Sequence, residues 1–141
     1  MAEAPRGHLV FACGESLYGV PSERAAEVVN LPALTRVPGA PAHLLGVFAH
    51  RGEVIPVVDL TRLTGLKSEG SYRRAVLIRS DKGAVALTAT RVSGVASLTG
   101  SFERLGDTGV QAHLRGPARA PAGEVAVIDT EGLVDFLVQG G

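Results

Sequence analysis

Ten residues, Arg51-Gly-Glu-Val-Ile-Pro-Val-Val-Asp-Leu60, restrict this chain more than any other stretch, because a turn dipeptide, a β-branched run and an acidic stop follow one another without a gap. Val54, Ile55, Val57 and Val58 suit a pleated, buried surface. Preceded by the apolar residues 44–50, they predict a hairpin turning at Gly52-Glu53. Pro56 interrupts the second strand and has no amide hydrogen to give a ladder. That strand is therefore at an edge, bulged, or turned so that this position faces no partner.

The remaining chain supports a mainly β reading. A hydrophobic content of 45% with 4% aromatics and no Trp gives a core of small and branched aliphatics, and 18 Gly with 8 Pro among 141 residues imply many turns. Fourteen basic side chains balance fourteen acidic ones, so no net field draws a polyanion or an anionic membrane, and nucleic acid is not an expected partner. One cysteine cannot form an internal disulfide, and no apolar run approaches the roughly 18–20 residues that span a bilayer, so no direct membrane insertion is expected. The first residues lack the order of a signal peptide, which makes the cytoplasm the expected location.

Residues 1–7 read as a loose tail and residues 8–141 as one domain. Residues 8–13 and 17–20 form a first hairpin around Gly14-Glu15-Ser16. Pro21 and Glu23 carry the signals of a helical first turn, which predicts a short helix over residues 21–29 giving way to a strand by Val28. Residues 30–41, with prolines at 32, 38 and 41, are a structured connection containing a candidate strand at 34–37. Residues 41–45 and 60–65 are single helical turns, and residues 67–71 a flexible loop. Beyond it, residues 75–79 and 84–90 flank a Gly83 turn, 92–98 continue the sheet, and 99–109 are a loop. Residues 115–123 are too rich in breakers for a regular element, and 125–128 are a strand. Asp129 or Thr130 caps a last helix that aligns Leu133, Phe136 and Leu137. The two halves echo each other: apolar hairpin, loop, then a Val-rich strand ending in Asp59 or Asp129.

These residues resemble a family. Leu9-Val-Phe11 with Tyr18-Gly-Val20, Ala26-Glu-Val-Val29, Leu34-Thr-Arg-Val-Pro38, the segment 41–46, Arg51-Gly52 and Val54-Ile-Pro-Val-Val-Asp-Leu60 stand in the order seen in CheW-like proteins. The likeness is close over residues 8–66 and looser through Ala84-Val-Ala-Leu87, Val92-Ser93, Val95 and Val125-Ala-Val-Ile-Asp129. It implies two intertwined five-stranded SH3-like barrels with a few short helices. The first barrel would come mostly from 8–72 and the second mostly from 73–141, with an exchange of strands between them open. It further implies a non-catalytic adaptor in receptor arrays, joining the cytoplasmic helical hairpin of chemoreceptors to the regulatory domain of a CheA-type histidine kinase. Glu27 and Arg51 match the family's receptor-groove positions. Val47, Phe48, Val54 and Pro56 are the apolar candidates for the kinase contact. An auxiliary paralogue with weak kinase coupling is the alternative.

Departures accompany the matches. Ala49-His50 stands where the family commonly has Asn-Leu, Ala25 where a branched apolar residue is usual, and Thr90 and Gly94 where acidic residues flank Val-Ser; Arg115 and Arg119 are further departures. An enzyme reading would have to use Cys13, His8, His43, His50, His113 or Asp59. Cys13 lies in an apolar strand without a cationic neighbour, His50 has no second ligand at metal spacing, and Asp59 is placed to cap the next turn through the amides of Thr61 and Arg62. No glycine-rich phosphate loop is present, so no cofactor and no metal are expected. A small barrel binding RNA would need aromatic platforms on a basic face, and this composition lacks them.

Overall fold

The computed structural model describes residues 7–67 and 71–139. The expected loop at 67–71 and the N-terminal tail fall largely outside that range, although Gly7 already opens the first strand. β1 (Gly7–Cys13) and β2 (Ser16–Pro21) are the first hairpin, and β3 (Ala25–Asn30) follows. The helix expected over 21–29 is absent. Arg24 N–H donates to the Pro21 carbonyl at 2.8 Å, a single β-turn whose proline and polar residues mimic a helix start. Val28 and Val29 then extend and pair with a strand more than forty residues later, so a long-range ladder overrides the local signal.

β4 (Leu44–His50) and β5 (Glu53–Val58) form the central hairpin. The turn falls one residue earlier than the expected Gly52-Glu53: Arg51 at φ 50° and Gly52 at φ 83° make it, the doubly left-handed geometry whose twist matches that of the flanking strands, and Glu53 already pairs with His50. No helical turn precedes it. Leu44 N–H bonds the Pro41 carbonyl at 3.0 Å, and the expected strand at 34–37 shrinks to a bridge between Thr35 and Val47. Pro56 lies opposite Val47, a pair that does not exchange hydrogen bonds, by the alternation counted from the turn. Its nitrogen faces the β7 side, where pairing begins only at Val57, so the proline breaks no ladder.

The chain continues through α1 (Leu60–Leu63), β6 (Arg74–Ser80), β7 (Gly83–Ala89), β8 (Arg91–Ser97) and β9 (Thr99–Gly100). A 3-10 turn at Gly109–His113 leads into β10 (Leu114–Ala120), β11 (Gly123–Ile128) and α2 (Thr130–Val138). The stretch 115–123, expected to be irregular, is mostly β10. Its breakers are absorbed where the register with β11 shifts between Arg115 and Ala118, with Gly116 at φ 153°.

The strands form two sheets, ordered β8-β1-β2-β11-β10-β9 and β3-β6-β7-β5-β4. Setting β9 aside, they have the same topology: an antiparallel hairpin, a parallel contact (β2 with β11, β7 with β5), and a third strand on the far side of the hairpin. The chain is thus an internal repeat, β1–β5 with α1 and β6–β11 with α2, in which each sheet takes its hairpin from one repeat and its other strands from the other. Ala42-His-Leu44 and Ala112-His-Leu114 occupy corresponding places. Gly46 and Gly116 share φ values of 152° and 153°, and the amides of Asp59 and Asp129 bond the carbonyls of His43 and His113 at 2.8 and 3.0 Å.

Period-two alternation sorts the core into three clusters. Along β6, Ala75 and Leu77 face the interior of the β3–β7 sheet, whereas Val76 and Ile78 face a shared cluster between the sheets. Along β11, Val125 and Val127 face the other sheet's interior and Ile128 the shared one. Strands buried on both faces explain the nearly continuous apolar runs. Leu133 and Val134 of α2 close the shared cluster.

Gly46 is where this packing tolerates least. An added Cβ would lie 2.7 Å from the Thr35 carbonyl oxygen and 3.0 Å from Leu34 Cβ, on a backbone that side chains rarely adopt. Gly46→Ala should lower stability by about 1–3 kcal/mol in urea titration. Gly39→Ala, at φ 77° with nothing within 4 Å, pays conformational strain only. Equal midpoints for the two variants would show that the close approach is not felt.

Candidate protein-docking site

β3 and β4 are opposite edges of their sheet, yet their side chains meet. The register of β3 on β6 skips a residue between Ala25 and Glu27, a bulge that puts Glu27 on the same face as buried Val29. On β4, His50 shares the inward face with Phe48, and the two rings sit edge-on at 5.9 Å. His50 Nε2 lies 3.0 Å from Glu27 Oε1, and Arg51 Nη1 lies 3.2 Å from the same oxygen. The rolled sheet is therefore closed at its mouth by side chains, and lower down by the reciprocal 2.9 Å bonds between Thr35 and Val47.

A second pair extends the cluster. Arg79 on β6 grips Glu53 on β5 through two bonds of 2.6 and 3.2 Å. The His50 hydrogen bond, helped by the Arg51 charge, holds the Glu27 carboxyl below the usual carboxylate range, and the Arg79 hydrogen bond does the same for Glu53. For a carboxylate lowered in the folded state, the stabilisation is complete above the ordinary glutamate value and is lost as pH falls through the folded one. The Glu53–Arg79 pair, exposed on both sides, adds little to the fold. Arg51, with 75% of its side chain exposed against 26% for Glu27, projects from the cluster as a cation anchored at its base.

The structure brings Glu27 and Arg51 together as their motifs imply. It adds His50, which the sequence offered only as a metal ligand without a second ligand, because its actual partner lies 23 residues away on another strand. Of the four apolar candidates, Val54 is 70% exposed, whereas Val47 and Pro56 are a half-buried cross-strand pair on the same outer face. Phe48 is not on that face. Only 6% exposed, it belongs to the interior of the β3–β7 sheet and supports the hairpin from beneath. The outer face continues from Pro56 into a shallow apolar cleft of about 200 Å³ floored by Pro41 and Leu44 and walled by Leu137 and Val138 of α2.

The repeat shows that the charged cluster occurs once. Gly94 opposite Val10 corresponds to Glu27 opposite Leu77, and Val95 to Val28, while Pro121-Ala122 replaces Arg51-Gly52. Gly94 has φ 104°, a backbone made for glycine. Thr90 is engaged in structure, its hydroxyl and amide donating to the Ala12 carbonyl at 3.1 and 2.8 Å. Arg115 leans on the Phe102 carbonyl and Asp129, and Arg119 is exposed.

Cys13 and Asp59 are structural. Cys13 is buried with Sγ 3.2 Å from Thr88 Oγ1, and burial pushes its thiol up, away from the thiolate a nucleophile needs. Asp59 accepts from the amides of Thr61 and Arg62 at 3.0 and 3.4 Å, the cap read from sequence. Among the described residues, no three histidine, cysteine or carboxylate side chains gather as metal ligands.

The CheW-like domain family model matches residues 7–136. Protein FrzA of Myxococcus xanthus is 39% identical over 89 residues, covering 63% of this chain and 52% of that protein. Chemotaxis protein CheW of Helicobacter pylori is 41% identical over 59 residues, covering 42% and 36%. The matched region thus spans about half or less of these two relatives. The crystal structure of scaffolding protein TtCheW from Thermoanaerobacter tengcongensis superposes with a TM-score of 0.79 at 24% identity, covering 92% of each chain, so the paired sheets are the two SH3-like barrels expected from the motifs. Because the family match runs from β1 into α2 and takes in Glu27, His50 and Arg51, the chain belongs to the CheW-like domain family.

Proposed function

We propose that this chain is a cytoplasmic, array-associated adaptor that couples the helical hairpin of chemoreceptors to the regulatory domain of a CheA-type histidine kinase, without catalysing a reaction. The observation that carries the reading is the Glu27–Arg51 pair at the barrel mouth, a projecting cation held by a half-buried carboxylate, which suits specific docking better than it suits folding. Its relatives' names, chemotaxis protein and scaffolding protein, point the same way. No helix among the described residues is long and apolar enough to cross a membrane. Two modest interfaces on one rigid body raise the effective concentration of kinase at receptor beyond what either achieves alone. The test is co-sedimentation with receptor and kinase fragments of the same organism, separately and together. Binding to both supports the adaptor, and binding to neither removes it.

The kinase contact is placed on the outer face formed by Val47, Val54 and Pro56. Val54→Asp puts a charge at the centre of that face and should weaken kinase-fragment binding by about tenfold or more, leaving receptor binding within about twofold. An unchanged kinase affinity in calorimetry would move the contact elsewhere. One observation favours the auxiliary reading instead: the other barrel has Gly94 where the first has Glu27, so it lacks the charged anchor. Receptor binding with no kinase binding would select that reading.

A further inference from the structure

Glu27 Oε1 receives two donors, His50 Nε2 and Arg51 Nη1, although one alone would anchor Arg51. The second donor matters when a partner arrives. Arg51 can turn outward to meet an incoming carboxylate only by leaving Glu27, and a carboxylate with 26% of its side chain exposed is costly to strand without a donor. His50 removes that cost, since its ring is fixed against Phe48 and keeps its own 3.0 Å contact. The groups facing His50 are Glu27 on β3, Arg51 in the turn, Glu53 opposite it on β5, and Arg79 on β6, already committed to Glu53. Protonating the imidazole strengthens its hold on Glu27 and leaves the Arg51 charge uncompensated toward the partner.

We propose that His50 is a positioning residue that takes over Glu27 when Arg51 engages a carboxylate on the docked partner, so that docking tightens as His50 is protonated. The inference rests on Arg51 being a docking residue and adds that the contacted group is acidic. Histidine is the side chain whose charge changes across the physiological range, which makes the consequence measurable. Binding of the receptor cytoplasmic fragment should be followed by calorimetry near pH 6 and near pH 8 with wild type, His50→Gln, His50→Leu and Arg51→Glu. The fragment's own titration is common to all four, so the signal is the difference from wild type. We expect wild type to gain on the order of fivefold at the lower pH relative to both His50 variants. Glutamine keeps a donor for Glu27 and should match wild type at the higher pH, where leucine is weaker. A pH profile shared by wild type and both His50 variants overturns the inference while leaving the docking site intact. Normal binding by Arg51→Glu overturns the docking site itself.

Discussion

Asp59→Ala is expected to destabilise the protein by about 2–4 kcal/mol, combining the loss of a helix cap with buried donors left unpaired. Asp59 is fully buried, and its carboxylate accepts from the Thr61 amide at 3.0 Å, the Thr61 hydroxyl at 2.5 Å and the Tyr72 hydroxyl at 3.1 Å, with Arg62 Nε 3.5 Å away. It fixes α1 and hence Leu60, which is fully buried in the cluster joining the two barrels. The repeat supplies the control. Asp129 caps α2 from the corresponding place, but 33% of its side chain is exposed and its capping bond is one 3.2 Å contact with the Gly132 amide. Asp129→Ala should cost only about 1 kcal/mol. Urea titration measures both. Equal losses would mean that the Tyr72 and Thr61 bonds contribute nothing beyond capping.

Arg51→Glu is expected to weaken receptor binding by about tenfold to a hundredfold while leaving the melting temperature nearly unchanged. The free protein exchanges one ion pair for a like-charge contact with Glu27, a small change at a side chain 75% exposed, and position 51 stays strained at φ 50° for glutamate as for arginine. The complex loses its projecting cation and gains a second negative charge beside Glu27, and like charges at an interface rim cost specificity and affinity together. Pairing it with Glu27→Arg should restore part of the binding if mutual orientation is the main role of the two residues. Restoration stays incomplete because an arginine at position 27 would confront His50, which now donates to Glu27. Calorimetry with the receptor fragment, alongside thermal melting, separates the two effects. Wild-type affinity in the single variant would reduce the pair to a surface bridge.

Much of the fold was legible because hairpins and caps are local. The central hairpin, read one residue late at its turn, and the Asp59 cap each rest on residues close together in sequence. Residues 21–29 and 115–123 misled for one reason: Pro21, Gly116 and Pro117 are read as local breakers or helix starts, whereas the structure uses them at a strand end and a bulge next to strands far away in sequence. Of the site, Glu27 and Arg51 were accessible through their motifs. His50 was not, because nothing near it signals a carboxylate 23 residues back, and Phe48 was placed outside because alternation says which residues share a face without saying which face is the core.

By itself, then, the sequence determined where strands begin and turn, which residues alternate, where Asp59 and Asp129 stop the strands, and which motifs mark the family. Only the tertiary structure decided that β3 joins β6 rather than β2, that the two repeats trade hairpins, and that the edges β3 and β4 meet at Glu27, His50 and Arg51. Turns and caps are settled by bonds that close within a few residues. Strand partners are settled by burying both faces of β6 and β11 at once, and that requirement belongs to the assembled sheets rather than to any one segment.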